Sequence, residues 1–211
     1  MVGIATRIII SARYESYRNP PLAPFTPPHA KLVMLGSFPP PRTRWKMDFY
    51  YPNFQNDMWR IFGLVFFDDA DYFIDAGADG KRFKETLIRS FLENKGIAVY
   101  DTAYRVRRLQ ENASDKFLQV VEPVDLAALL ERMPLCDTIM TTGELATDTL
   151  LSLMPSETPK PKIGACVETC FAKRALRLYR LPSSSRAYPL ALEKKAAAYR
   201  AFFMELGLLS D

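Results

Sequence analysis

Four short apolar runs punctuate the chain, and helical periodicity fills most of the sequence between them. Lys31–Leu35 (KLVML) ends at Gly36, Gly96–Tyr100 (GIAVY) ends at Asp101, and Asp137–Met140 (DTIM) runs into Thr141, Thr142 and Gly143. Apolar runs this short predict strands buried on both faces, as in a parallel sheet. Leu176–Leu181 (LRLYRL) alternates apolar and basic side chains before Pro182, which suits a fourth strand nearer an edge. Helices are predicted over Asn56–Phe66, Lys81–Asn94, Val124–Met133, Glu144–Met154 and Pro189–Leu206. The last is the clearest, with Leu192, Ala196, Tyr199, Phe202, Phe203 and Leu206 on one stripe and Gly207 placed to cap it.

Strands that alternate with helices predict an α/β fold: one three-layer α/β/α domain over residues 1–211 around a central, mostly parallel four-stranded sheet. Residues 1–30 stand apart. Pro20, Pro21, Pro24, Pro27 and Pro28 exclude a regular helix or central strand there, so this stretch is expected to wrap the surface as a proline-rich arm. Asp68, Asp69, Asp71 and Asp75, ahead of Gly77 and Gly80, read as a solvated loop in preference to a metal cage.

Composition narrows the chemistry. His29 is the only histidine, which disfavours histidine-based triads and, with three scattered cysteines (Cys136, Cys166, Cys170), leaves no tetrahedral zinc set. Those cysteines are expected to be reduced thiols. No cofactor and no metal is expected. A net charge of +4 permits contact with phosphates without demanding it. No run is apolar for long enough to span a bilayer, and Arg7 with Ile8, Ile9 and Ile10 falls short of a signal peptide. The expectation is a cytoplasmic monomer.

Ligands of such sheets bind beyond the carboxyl ends of the strands, so the segments after each strand hold the candidate chemistry. Gly36-Ser37-Phe38-Pro39 opens a proline-stiffened loop whose amides can hold an anion or a polar ligand edge. Tyr50-Tyr51-Pro52-Asn53 leads to Asn56 and Trp59, and a tyrosine there suits stacking on a flat ligand, worth about 1–3 kcal/mol per base. Asp101 precedes Arg105, Arg107 and Arg108, a carboxylate beside phosphate-binding cations. Ser183-Ser184-Ser185-Arg186 offers hydroxyls, amides and a charge to a phosphate. Each has an ordinary alternative: rings that cover a sheet, an aspartate that caps a turn, a serine-rich turn without a role.

Together these blocks resemble the uracil-DNA glycosylase superfamily. Leu35-Gly36-Ser37-Phe38-Pro39 followed by Tyr50-Tyr51, Asn56 and Trp59 is similar to its first motif, and the spacing fits the mismatch-specific and hypoxanthine-DNA glycosylase branch. Gly96–Asp101 resembles the strand that ends in a base-reading Asn or Asp. Thr142-Gly143-Glu144-Leu145-Ala146 resembles the Asn-Gly-x-x-Ala helix start, and Leu181–Ala187 the second motif, Leu-Pro-Ser-Thr-Ser-Pro-Ala. The resemblance implies base excision from DNA. Tyr51 would stack on a flipped base, Gly36, Ser37, Phe38 and Pro39 would line its pocket with Ser183, and Asp101 would face its hydrogen-bonding edge. Ser183, Ser184, Ser185, Arg186 and Arg105 would hold the strand.

Two positions depart from the pattern. Phe38 stands where many members carry a water-positioning Asp or Asn, and Leu181 where many carry histidine. Asn56 is then the first candidate for a polar catalytic role, with helix capping as its equal alternative. Asp101 only accepts hydrogen bonds when ionised and can also donate when protonated, which leaves uracil, hypoxanthine and xanthine open. Two other functions compete: a nucleic-acid or nucleotide binding module without hydrolysis, and an enzyme acting on free nucleosides.

Overall fold

A computed structural model describes residues 17–77, 80–109 and 115–209. The strands are β1 (Tyr17–Arg18), β2 (Leu32–Gly36), β3 (Ile74–Gly77), β4 (Gly80–Phe83), β5 (Ile97–Asp101), β6 (Ala103–Arg108), β7 (Leu118–Pro123), β8 (Thr138–Thr142), β9 (Ala165–Phe171) and β10 (Arg174–Leu181). The helices are α1 (Met58–Phe67), α2 (Glu85–Lys95), α3 (Leu126–Glu131), α4 (Glu144–Leu151) and α5 (Leu192–Glu205).

All residues of β2, β5 and β8 are buried, as strands covered on both faces must be. They lie next to one another in a five-stranded sheet of order β5-β2-β8-β10-β9. The first four are parallel, so their carboxyl ends emerge at one edge, in register: Gly36 lies beside Asp101, and Leu181 beside Thr142. The chain enters at β2, steps to β5 on one side and to β8 on the other. That reversal opens a crevice above β2.

The predicted α/β class and the four parallel strands hold, and β9 is the addition. It runs antiparallel to β10 as the fifth, edge strand. Its hairpin loop is Ala172-Lys173, with both residues at positive φ (50° and 64°). A two-residue turn of this kind normally advertises itself through Asn or Gly, and here no such residue marks it. A second hairpin, β6–β7, stands where the sequence suggested only a basic loop, and β1 extends it. Its small core of Ala103, Val106 and Leu118 is closed by Phe38, Val120 and Leu145. The predicted helix over 81–94 starts later, because Gly80–Phe83 pairs with Ile74–Gly77, and Asp75 therefore lies in a strand instead of a loop.

The part of the proline-rich arm before Tyr17 lies outside the described residues. From there the arm is extended and sewn to the open edge of the sheet, where Phe25 and Val99 exchange both backbone hydrogen bonds (3.1 and 2.9 Å). An otherwise unpaired edge is thereby covered by a segment too proline-rich to recruit a further strand. The arm leaves His29 at the opposite end of the sheet from Asp101, its Nε2 2.8 Å from the Glu93 carbonyl at the end of α2.

Helix α1 depends on one missing side chain. A Cβ on Gly63 would lie 2.2 Å from the Asp69 carbonyl oxygen, because the chain folds back tightly after Asp68 (φ 53°). Gly63→Ala is therefore expected to destabilise the protein by about 1–3 kcal/mol, as overpacking against backbone does. Urea unfolding checks this; an unchanged midpoint would contradict so close an approach.

Candidate functional site

The crevice at the carboxyl edge is a cleft of about 840 Å³. Its floor is made by the strand ends Gly36, Asp101 and Thr142, and its walls by the post-β2 loop, the Tyr50–Asn56 segment and the Ser183–Ser185 turn.

Asp101 closes β5 with only 6% of its surface exposed. Glycine at position 36 makes this possible: a Cβ there would stand 2.6 Å from Asp101 Oδ1 and 3.4 Å from the Tyr51 hydroxyl. The backbone around it is bolted down. Thr102 donates to the Gly36 carbonyl through both its N–H (2.9 Å) and its hydroxyl (3.0 Å), and Ala103 N–H donates to the Ser37 carbonyl (3.2 Å). Burial, with a lesser push from the nearby charge of Asp115, raises the Asp101 carboxyl to about 7.

Tyr51 enters the cleft from a left-handed backbone (φ 52°), a conformation that a bulky residue adopts only where its surroundings impose it. Trp59 meets its ring edge-on at 6.1 Å. Its hydroxyl is buried, close to Thr142 without a hydrogen bond that meets normal geometry, and unsatisfied. Burial first, and Asp101 second, hold that phenol well above its usual range. Tyr50 turns the other way, donating 3.0 Å to the Ala23 carbonyl and so anchoring the arm. Two adjacent tyrosines thus have separate duties.

Asn56 lines the cleft, but its Oδ1 accepts the Met58 N–H at 2.9 Å across Asp57, the N-cap of α1, so the oxygen is committed to the turn that enters the helix. Only its amide nitrogen remains to address a ligand. Ser37 donates to Asp115 Oδ1 at 2.8 Å on the cleft rim. Partial desolvation raises the Asp115 carboxyl against the opposing pull of Ser37 and Arg108, although Asp115 keeps solvent contact. Phe38 reaches the cleft and also stoppers the hairpin core, an apolar duty that a polar residue could not share.

The predicted residues Gly36, Ser37, Phe38, Pro39, Tyr51, Asn56, Asp101, Ser183, Ser184 and Ser185 all line this cleft. Arg105 does not; it stands on the hairpin in an ion pair with Glu122. Arg186 lies just outside, with its Nε 2.8 Å from Asp57. Ser184 is buried and its carbonyl accepts the Asp57 N–H, which leaves its hydroxyl little access to a strand. Residues missed in the sequence are Asp115, Thr142, Arg44, Asp57 and Lys195. Arg44 lies exposed on the cleft wall with no ion pair among the described residues, whereas its neighbour Arg42 is held by Asp48 at 2.7 Å. Nothing in the local sequence separates those two arginines. No group of three or more metal-binding side chains occurs among the described residues, and no helix there is long and apolar enough to cross a membrane.

The layers, the parallel strands and a cleft at their carboxyl edge define a uracil-DNA glycosylase-like α/β fold. The solved structure that carries this comparison is the solution NMR structure of a "putative Uracil DNA glycosylase" from Methanosarcina acetivorans. It is similar to this chain with a TM-score of 0.62 and 18% identity, over 91% of this chain and 99% of that one. No family model matches the sequence, and no curated protein does.

Asp101 links the site to stability. Its carboxyl binds its proton more tightly in the folded chain than at its ordinary value of 3.8, so its contribution is full at low pH and is lost as pH rises toward about 7. Asp101→Asn removes that loss. The variant should gain about 2–3 kcal/mol relative to the native protein between pH 5 and pH 8. Denaturation at both pH values measures the difference, and an equal offset at both would contradict a raised Asp101.

Proposed function

We propose that the cleft receives a flipped-out, deaminated base of DNA and that the protein hydrolyses its N-glycosidic bond. The observation that carries this reading is the cleft floor: a nearly buried Asp101 carboxyl and a buried Tyr51 hydroxyl that lacks a partner, on a tyrosine that keeps part of its surface open. Unsatisfied polar groups cost stability when nothing occupies the site. A flat heterocycle with a hydrogen-bonding edge satisfies them, and the ring supplies stacking. The fold shared with the Methanosarcina structure supports the same reading.

In this mechanism the base leaves the duplex and seats its polar edge on Asp101. With the carboxyl near neutrality at about 7, Asp101 offers a donor and an acceptor together. That pair suits the N–H and adjacent C=O shared by uracil, hypoxanthine and xanthine. Water adds its oxygen to the sugar C1′ while the bond from C1′ to the base nitrogen breaks; the water gives up a proton, and the departing base takes one. The Asn56 amide nitrogen holds the water by donating to its oxygen. Ser183 and Ser185 contact flanking phosphates, with Arg44 on the facing wall adding charge.

A second reading follows from Phe38 and from the commitment of Asn56 Oδ1 to α1: the site binds the base without cleaving it. The test uses labelled duplexes, each with one uracil, hypoxanthine or xanthine, incubated with excess protein and probed for alkali-labile abasic sites. Release from at least one duplex is expected. Asn56→Ala should slow single-turnover release about 100-fold or more, beyond the ~1 kcal/mol of stability that one lost hydrogen bond costs. Tyr51→Ala should weaken binding about 5- to 100-fold, the range that one stacked base supplies. Salt-sensitive binding with no release from any duplex would establish the second reading; neither binding nor release would end both.

A further inference from the structure

A charged cluster that no step above uses lies behind the cleft wall. Asp57 is 5% exposed and Lys195, in the first turn of α5, 1%. Asp57 Oδ2 is 3.5 Å from Lys195 Nζ, and Asp57 Oδ1 is 2.8 Å from Arg186 Nε, with Arg60 further off at 3.7 Å. Lys195 also donates to the Ser185 carbonyl at 2.8 Å. Four residues along the same helix, Tyr199 donates to the Pro182 carbonyl at 3.0 Å, so one face of α5 grips both ends of the serine turn.

The other side of that turn is tied to the start of α1. Asp57 N–H donates to the Ser184 carbonyl (2.8 Å), Arg186 N–H donates to the Gln55 carbonyl (2.9 Å), and Asn56 bridges Ser185 in antiparallel fashion. Residues 55–57 and 184–186 therefore form a short ladder, with the Asp57–Lys195 pair bearing on both strands. A buried ion pair is a poor means of stabilising a fold, since apolar residues of similar size usually do as well. What a charge pair supplies and an apolar pair does not is direction: Lys195 fixes the Ser185 carbonyl, and Asp57 fixes the guanidinium of Arg186.

We infer that Asp57 and Lys195 are positioning residues that lock Asn56 and the Ser183–Arg186 turn into one register across the cleft. The inference rests on the reading of that cleft as the base site. Asp57 also orders the exposed Arg186 by holding its Nε.

Lys195→Met in the full chain tests it, since methionine keeps the apolar stem and removes the amine. Two readouts are taken. The first is the Asn56 side-chain amide and the Ser183–Arg186 backbone amides in ¹H–¹⁵N spectra. The second is single-turnover release of whichever base the native protein excises. Expected are cooperative melting, displaced signals at those residues, and a rate at saturating protein at least ten-fold lower, with half-saturation changed less than three-fold. A merely structural role would lower stability without that split. Should Lys195→Met not melt cooperatively, Asp57→Leu with Lys195→Met, which removes both charges, is judged by the same readouts. Unmoved signals in a folded variant would overturn the inference. If the native protein releases no base, hydrolysis fails as the function, and the spectra alone decide the positioning.

Discussion

The molecule is organised around a carboxyl group that has been taken almost wholly out of water. Asp101 sits at the end of β5, and the space for its Oδ1 is the space that a side chain at Gly36 would fill, 2.6 Å away. Everything near it serves that placement. The in-register pairing of β2 with β5 puts glycine and aspartate side by side, and the two hydrogen bonds that Thr102 donates to the Gly36 carbonyl keep the strand ends from parting. Such a group is costly when unpartnered, and sites with perturbed carboxyls of this kind concentrate where ligands bind.

The same principle separates the polar groups that act on a ligand from those that hold the wall. The Tyr51 hydroxyl is unpaired and Asp101 faces the cleft, whereas Asp57, Lys195 and Arg186 are paired with one another and with backbone. Asn56 belongs to both sets: its oxygen holds the turn into α1, and the residue lines the cleft. Phe38 has the opposite character. Its ring plugs the small core under the β6–β7 hairpin, so the apolar residue at this position has a packing reason independent of any chemistry.

The parallel strands and the floor of the cleft were legible in the sequence because short apolar runs ending in Gly36, Asp101 and Thr142 leave little choice but buried strands with their ends aligned. The edge strand β9 was not, since Ala172 and Lys173 occupy a turn normally marked by asparagine or glycine, and the strand itself is only half buried. The β6–β7 hairpin was hidden by its arginines, which read as a solvated basic loop. Among site residues, Tyr51 and Asp101 were visible through their neighbours. Lys195 was not, because a lysine within an amphipathic helix looks solvent-facing until the helix is docked and its partner, more than a hundred residues earlier, is brought against it.

The measurement that bears most directly on this picture is the titration of the Asp101 carboxyl carbon by ¹³C NMR, assigned with Asp101→Asn, in the free protein and with saturating free base. A midpoint near 7 in the free protein, displaced when uracil or hypoxanthine binds, is the expected result. A midpoint in the ordinary carboxylate range, about 4, with no response to either base, would contradict it.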